Sequence, residues 1–408
     1  MNPNKTSKPI YLAILIASIL FIFLGNQFAT HGLELNLLGG ANSEHEHYSP
    51  QTFYTAAITH IIERTEDDSF GFSSVHIMFE ARITNGYRRG ESVIASQFLM
   101  DFFVVGDRYV EVGDRILLMH DGHIDGYFFA DFVRTNAVLV LGLIFLVLVV
   151  VFARLKGLNA IIALVLTCLA VFLVFIPAIL SGRNVYIVTI VVCLFSIVST
   201  LLIVIGPNKK AWSAMLGCLG GVVLASVLML GITPILNLTG AIDQESQALL
   251  LLPTQNPINL RAIIFAGVIL GAVGAIMDVA MSISSSLWEV READKGANFR
   301  SLFKSGINIG KDVLGTMLNT LILAYIGSSL SLILVLVVHS PSHLQLLNME
   351  LIAVEFIRAL IGAFGMFLTI PLSALVCGWL YSDTEEKRPP RAEQLRGSKR
   401  LYESEIDN

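Results

Sequence analysis

Apolar and polar positions alternate along this chain on two length scales, and the switch from one to the other divides it. Apolar runs recur at 10–28, 136–153, 159–180, 185–205, 211–232, 260–283, 312–338 and 351–381. A helix of about twenty residues crosses the hydrocarbon core of a bilayer, so the pattern predicts about eight transmembrane helices. Between the first and second runs, residues 29–135 carry a period of two instead. Val75, Ile77, Phe79, Ala81 and Ile83 alternate with His76, Glu80 and Arg82, the mark of a strand buried on one face. Asn85-Gly86 is a hairpin signal, and 109–112, Gly113-Asp114 and 115–118 read as strand, turn, strand. With 53–62 and 124–133 this makes about five short strands, which predicts a small barrel of OB type over 50–134.

The run at 10–28 follows Lys5 and Lys8. It is longer than the apolar region of a signal peptide and lacks a clean small-x-small cleavage site, so it reads as an uncleaved first helix behind a cytoplasmic segment, 1–9, with a cleaved signal as the alternative. Three connections read as more than turns. Residues 233–259 carry an apolar stretch, 248–252, between Pro234, Pro253 and Pro257, which suits an interfacial or re-entrant segment. Residues 288–311 place Phe299, Leu302, Phe303 and Ile307 at near-helical spacing among Arg300 and Lys304, the pattern of a short helix on the inner membrane surface. The tail 382–408, with Pro389-Pro390 and mixed charge, reads as disordered.

Composition agrees with a membrane protein. Apolar residues make up 54% and charged residues 14%, against about 25% charged in soluble domains. A net charge of −5, with no basic stripe interleaved with aromatics, argues against nucleic acid as a partner. Cys168, Cys193, Cys218 and Cys377 all fall inside apolar runs, as small packing residues rather than a metal or disulfide framework. Charge also orients the chain. Arg154 and Lys156, Lys209 and Lys210, the group from Arg291 to Lys311, and the basic tail all fall in segments that eight helices put on one side. The outer loops offer only Arg183 and Arg261. The positive-inside rule therefore predicts cytoplasmic termini and an extracytoplasmic barrel, with a seven-helix membrane domain over 136–381.

Within this scaffold the residue that stands out is Asp278. Gly271, Ala275, Asp278, Ser282 and Ser285 share one helical stripe, small residues on one side of the acid and hydroxyls on the other. That predicts a close-packed face opening into a polar pocket. Asp278 lies roughly 25 Å along its helix from Arg261, in the inner half of the membrane. Thr316 and Asn319, on the next and oppositely directed helix, share a face with Asp312 and fall at a matching depth. Asp278, Ser282, Thr316 and Asn319 therefore make a candidate site for a proton or cation; polar glue between helices is the plainer alternative. Glu355 and Arg358 are three apart and can pair on one face of the last helix, either as an outer gate or as a neutralised rim.

His45-Glu46-His47, and His120 with His123 and Asp125, have metal-type chemistry but match no established closed site, so no metal and no cofactor is expected. Motifs of the HExxH, GxSxG, P-loop and dinucleotide types are missing. A membrane aspartyl protease would need a second intramembrane Asp. The expectation is therefore not an enzyme.

The runs GAVGAIMDVAMSISSSLWEV (271–290) and GKDVLGTMLNTLILAYIG (310–327) resemble the two signature stretches of the YibE/YibF-like bacterial membrane proteins. ELIAVEFIRALIG (350–362) suits the helix that follows, and the likeness covers roughly 130–385. The first helix with its outer domain is similar to the longer, YibE-like members. The resemblance implies a multi-pass plasma-membrane protein of a bacterium, working beside a shorter YibF-like paralogue or as a homo-oligomer. It implies no substrate, reaction or site residues. Two functions stand: a permease or transport subunit built around Asp278, or a non-transporting assembly or signalling subunit whose barrel recognises a partner.

Overall fold

The computed structural model describes residues 7–31, 52–67, 74–100, 109–121, 126–251, 257–339 and 342–382. Expectations for the N-terminal segment before Ser7, the His45 and His47 pair, His123 and Asp125, and the tail past Ser382 lie outside these residues. One compact unit holds the barrel and the first half of the second helix, through Phe152; the other holds the first helix and the chain from Ala153 onward.

The barrel is closed and five-stranded: β1 (Thr52–Asp67), β2 (Ser74–Ile83), β3 (Ser92–Met100), β4 (Arg115–Asp121) and β5 (Gly126–Phe132), in the order β1-β2-β3-β5-β4. The parallel β3–β5 pair, Ala95 opposite Tyr127, completes the closure. β2 shows the expected alternation, with Val75, Ile77, Phe79, Ala81 and Ile83 all buried. Register shifts between Ile58 and His60 and between Ile61 and Glu63 bend β1, which pairs with both β2 and β4.

Two strand assignments differ from expectation. Residues 109–112 are not a strand; the backbone N–H of Val110 donates instead to the buried side chain of Gln97, at 3.1 Å. β3 was hidden because its outward positions are the greasy ones. Ile94 and Phe98 are 59% and 58% exposed, while Gln97 points inward at 2%.

Among the described residues, seven helical segments are long and apolar enough to span a membrane. α1 is Ser7–Thr30. The expected spans at 136–153 and 159–180 run on as one 46-residue segment, Thr135–Leu180. It comprises α2 (Thr135–Ala170), a π-turn (Val171–Phe175) and α3 (Ile176–Leu180), and it breaks at Arg154, whose φ is 51° and ψ −128°. With only Gly157 as a breaker nearby, the basic link bends at one residue instead of forming a loop. α4 (Val185–Ile205), α5 (Lys209–Ile235), α6 (Gln244–Leu249), α7 (Leu260–Ala293) and α8 (Phe299–Ser328) each begin at an Asn or Asp whose side chain accepts from a backbone N–H of the first turn. α9 (Leu330–His339), α10 (His343–Asn348) and α11 (Glu350–Ser382) complete the chain.

The expected surface helix over 288–311 is not separate. Trp288 ends up in α7, and Phe299 begins α8, which continues into the span. Nothing stops it, because Gly306 and Gly310 seat against Ala374 and Ile370 of α11. The span expected to reach 338 instead breaks at Ser329.

α11 packs on α5, α7 and α8 through small residues. Gly217 and Gly221 of α5 face Ser373 and Thr369, and Gly365 faces Ile276 of α7. α1 joins the same unit: Phe21 stacks on Phe195 at 4.3 Å, and Tyr11 donates to Asn159, which in turn donates to the carbonyl of Ile203.

Candidate functional site

α7 presents two opposite faces. Ala272, Val273, Ile276, Val279, Ala280, Ile283, Ser284 and Leu287 are buried against the bundle. Gly267, Gly271, Gly274 and Asp278 lie on the exposed side. Of the expected small stripe, Gly271 is closely packed, since a Cβ there would lie 2.8 Å from the Tyr325 hydroxyl, and Ala275 lies partly buried against the core, while Asp278 stays exposed. Gly267 and Gly274, outside that stripe, are open, since a Cβ on either would meet nothing within 4 Å.

Depth can be read from contacts. Gly271 lies beside Tyr325, and Leu287 beside Gly306, so α7 and α8 are antiparallel in a fixed register. Seven residues along from the Gly271–Tyr325 contact, toward the α7–α8 link, roughly 10 Å, lie Asp278 and Leu318. Thr316 and Asn319 therefore bracket the level of the acid, as their spacing predicted. Both are exposed, and so is Asp312; Ser282 is half-buried. No hydrogen bond joins these residues to one another among the described residues. Thr316 donates back to the carbonyl of Val313 in its own helix.

Glu355 and Arg358 do pair, at 2.9 Å, and are mostly buried, with side chains 15% and 28% exposed. The contacts of Ile276 with Gly365 and of Ala272 with Gly362 make α7 and α11 parallel. Glu355 then stands twelve residues, roughly 18 Å, from the level of Asp278. Sequence reasoning missed the third member of this cluster. Tyr325 of α8 lies within electrostatic range of both charges, and its hydroxyl and Glu355 Oε2 are both buried without a hydrogen-bond partner. The signal was available in the register, since Tyr325 is seven residues outward of the Asp278 level. From the Glu350 end of α11 onward, Glu355, Arg358 and Tyr325 thus lead along the α7–α8 seam past Gly271 and Gly274 to Asp278, Thr316 and Asn319.

Two further polar arrangements were not read from the sequence. Ser213 of α5, Ser284 of α7 and Tyr381 of α11 form a buried hydroxyl triangle with sides of 2.5, 2.7 and 2.8 Å, anchored on the carbonyl of Lys210. Of the serines around 282–286, the fully buried one is Ser284. Glu350, at the start of α11, accepts from the N–H of Thr239 at 2.6 Å, its hydroxyl at 2.7 Å and the N–H of Gly240 at 2.8 Å. A cavity of about 310 Å³, lined by Arg183, Asn184, Tyr186 and Asn259, sits at the starts of α4 and α7. It does not include Asp278.

His120 bonds through Nδ1 to the carbonyl of Gly126 and stacks on Tyr127 at 4.8 Å. No group of three metal-ligating side chains occurs among the described residues. The cysteines are free, three of them buried and Cys168 exposed.

Residues 141–383 match a protein-family model described as YibE/F-like protein. No curated protein and no solved structure matches the chain.

Proposed function

The chain belongs to the YibE/F-like family, and from that premise and its membrane face we propose a permease, or the membrane subunit of a transport assembly, for an ion or small solute. One observation carries the reading. Asp278, Thr316 and Asn319 stand at one level on adjoining exposed helix faces, with no hydrogen-bond partner on another helix among the described residues. An acid in hydrocarbon costs about 2.5–3.5 kcal/mol on insertion scales, so this face must meet water, solute or another polypeptide. Asp278 is the protonatable or cation-binding group, and Thr316, Asn319 and Ser282 complete an inner-half site. Glu355 and Arg358, joined by Tyr325, are the outer gate.

The distribution of Lys and Arg supports cytoplasmic termini, a plasma-membrane location and an extracytoplasmic segment at 29–135. The sequence carries no nucleotide-binding motif, so an ion gradient or a separate subunit supplies energy. The role is not catalytic. The test is flux in proteoliposomes across a panel of ions and small solutes, wild type beside Asp278→Asn. The expected result is flux of one class that falls at least tenfold in the variant; equal flux in both overturns the reading.

A second reading, a partner-recognising scaffold, has its own observation. On β3 the barrel exposes Ile94 and Phe98, each more than half accessible and both on the outward face of one strand, an apolar strip suited to docking. Under that reading, deletion of 50–134 abolishes function while Asp278→Asn leaves it intact.

A further inference from the structure

Most exposed membrane surface in this chain suits acyl chains. α2 turns out Val138, Leu139, Leu141, Leu143 and Val151, and α5 turns out Val223, Val227 and Leu230. The α7–α8 face does not. Along α7 it offers Gly267, Gly271, Gly274 and Asp278, and along α8 it offers Asp312, Gly315, Thr316, Asn319 and Thr320. The fully buried residues of α8 are Leu302, Gly306 and Gly310; from Lys311 onward Val313, Leu314, Met317, Leu318 and Leu321 pack against the core only partly buried, and the other side of the helix stays exposed. Its mean hydropathy is 1.2, the lowest of the seven spans. Lipid tails cannot hydrogen-bond an acid or an amide. Gly267 and Gly274, two turns apart and both open within the chain, are by contrast small positions at which helix backbones approach closely.

The occupant can be identified from what the face displays. It must bring a donor to the level of Asp278 and an acceptor to the level of Asn319. The face itself carries both, at one level, and neither is used within the chain among the described residues. A two-fold axis along the membrane normal preserves depth. A second copy turned by half a revolution therefore sets its Asn319 amide opposite Asp278, and its Asp278 opposite Asn319. We propose that the α7–α8 face is an isologous interface between two copies of this chain. Gly267 and Gly274, the two positions open within the chain, make close contact on the outer side, and the Asp278–Asn319 pairs line a polar chamber on the inner side. This inference deepens the transport reading and rests on it for the chamber's purpose, not for the interface.

The test uses the full chain in membranes, carrying Cys168→Ser because the other three cysteines are buried. A disulfide needs Cα atoms within about 7 Å, a distance that glycine packing provides. Gly274→Cys should give an oxidant-dependent dimer at least tenfold more abundant than Val227→Cys, whose position faces lipid. An equal yield overturns the proposal. Gly274→Leu, at a position open within the chain, should keep the wild-type melting temperature yet shift the protein in nanodiscs from two copies to one. A wild type found as single copies also overturns it. The two ideas fail separately. Two copies without solute flux sinks transport and leaves the interface; Asp278-dependent flux from single copies does the reverse.

Discussion

A Cβ on Gly271 would sit 2.8 Å from the Tyr325 hydroxyl, so the missing side chain on α7 is what lets the phenol of α8 lie across it. Because that hydroxyl is buried without a partner, removing it should not weaken the fold. Tyr325→Phe is expected to match or exceed wild-type stability by up to about 1 kcal/mol while impairing flux. Gly271→Ala should displace the ring and reproduce the flux defect, its steric push offset by about 1 kcal/mol of helix propensity. Thermal melting beside flux checks both. A Tyr325→Phe protein that melts well below wild type would mean the hydroxyl has a partner, contrary to this account.

The hydroxyl triangle separates neighbouring serines. Ser284→Ala removes a group bonded to Ser213, Tyr381 and the Lys210 carbonyl, and is expected to cost about 1–3 kcal/mol. Ser282→Ala should stay within about 0.5 kcal/mol. Urea or thermal unfolding in detergent ranks the two, and equal losses would contradict the triangle's structural role.

How much of this was legible in the sequence depends on which force set each feature. The existence of several long apolar helices followed from length and hydropathy alone, though not their ends, since the span expected over 312–338 begins at Phe299 and stops at Ser328. The Glu355–Arg358 pair and the common level of Asp278 and Asn319 followed from helical geometry. What the apolar stripe did not settle was which face of α7 turns inward. Glycine and alanine at 271 and 275 read as a packing face, yet Ile276, Val279 and Ile283 took the core. β3 was missed for a related reason, since Gln97 is inside and Phe98 outside. The Glu350 clasp joins residues more than a hundred positions apart, a relation that no local pattern encodes.

That clasp holds the link after α5. Glu350→Ala removes three hydrogen bonds from the Thr239–Gly240 turn and is expected to speed proteolysis or hydrogen exchange at 236–243. Gly240 has φ +92°, and a Cβ there would lie 2.6 Å from the backbone carbon of Leu260. Gly240→Ala should therefore cost about 1–3 kcal/mol. If neither variant changes local protection, the clasp is incidental.

In the barrel, Asp131 accepts from Arg134 at 2.8 Å and from the N–H of Phe132 at 2.7 Å. The guanidinium first, and then the backbone donor, hold its carboxyl below the ordinary range. A depressed folded value stabilises the ionised form. The contribution is therefore complete above the usual carboxylate range, near about 4, and is lost as pH falls through the lowered value. The difference in barrel stability between wild type and Asp131→Asn should shrink as the pH is lowered below the usual carboxylate range, and also on adding salt, because the pair is exposed. A difference that persists at low pH would assign it to something other than this carboxylate.

The central claim is that the α7–α8 seam at the Asp278 level is a wet polar chamber, not a lipid-facing surface. Single cysteines at Thr316 and Asn319, in the full-length protein carrying Cys168→Ser, can be offered a charged, membrane-impermeant thiol reagent, with Val227→Cys as the lipid-facing reference. The account predicts that both seam positions react at least tenfold faster than the reference and that excess transported solute protects them. Reaction as slow as at Val227 would contradict it.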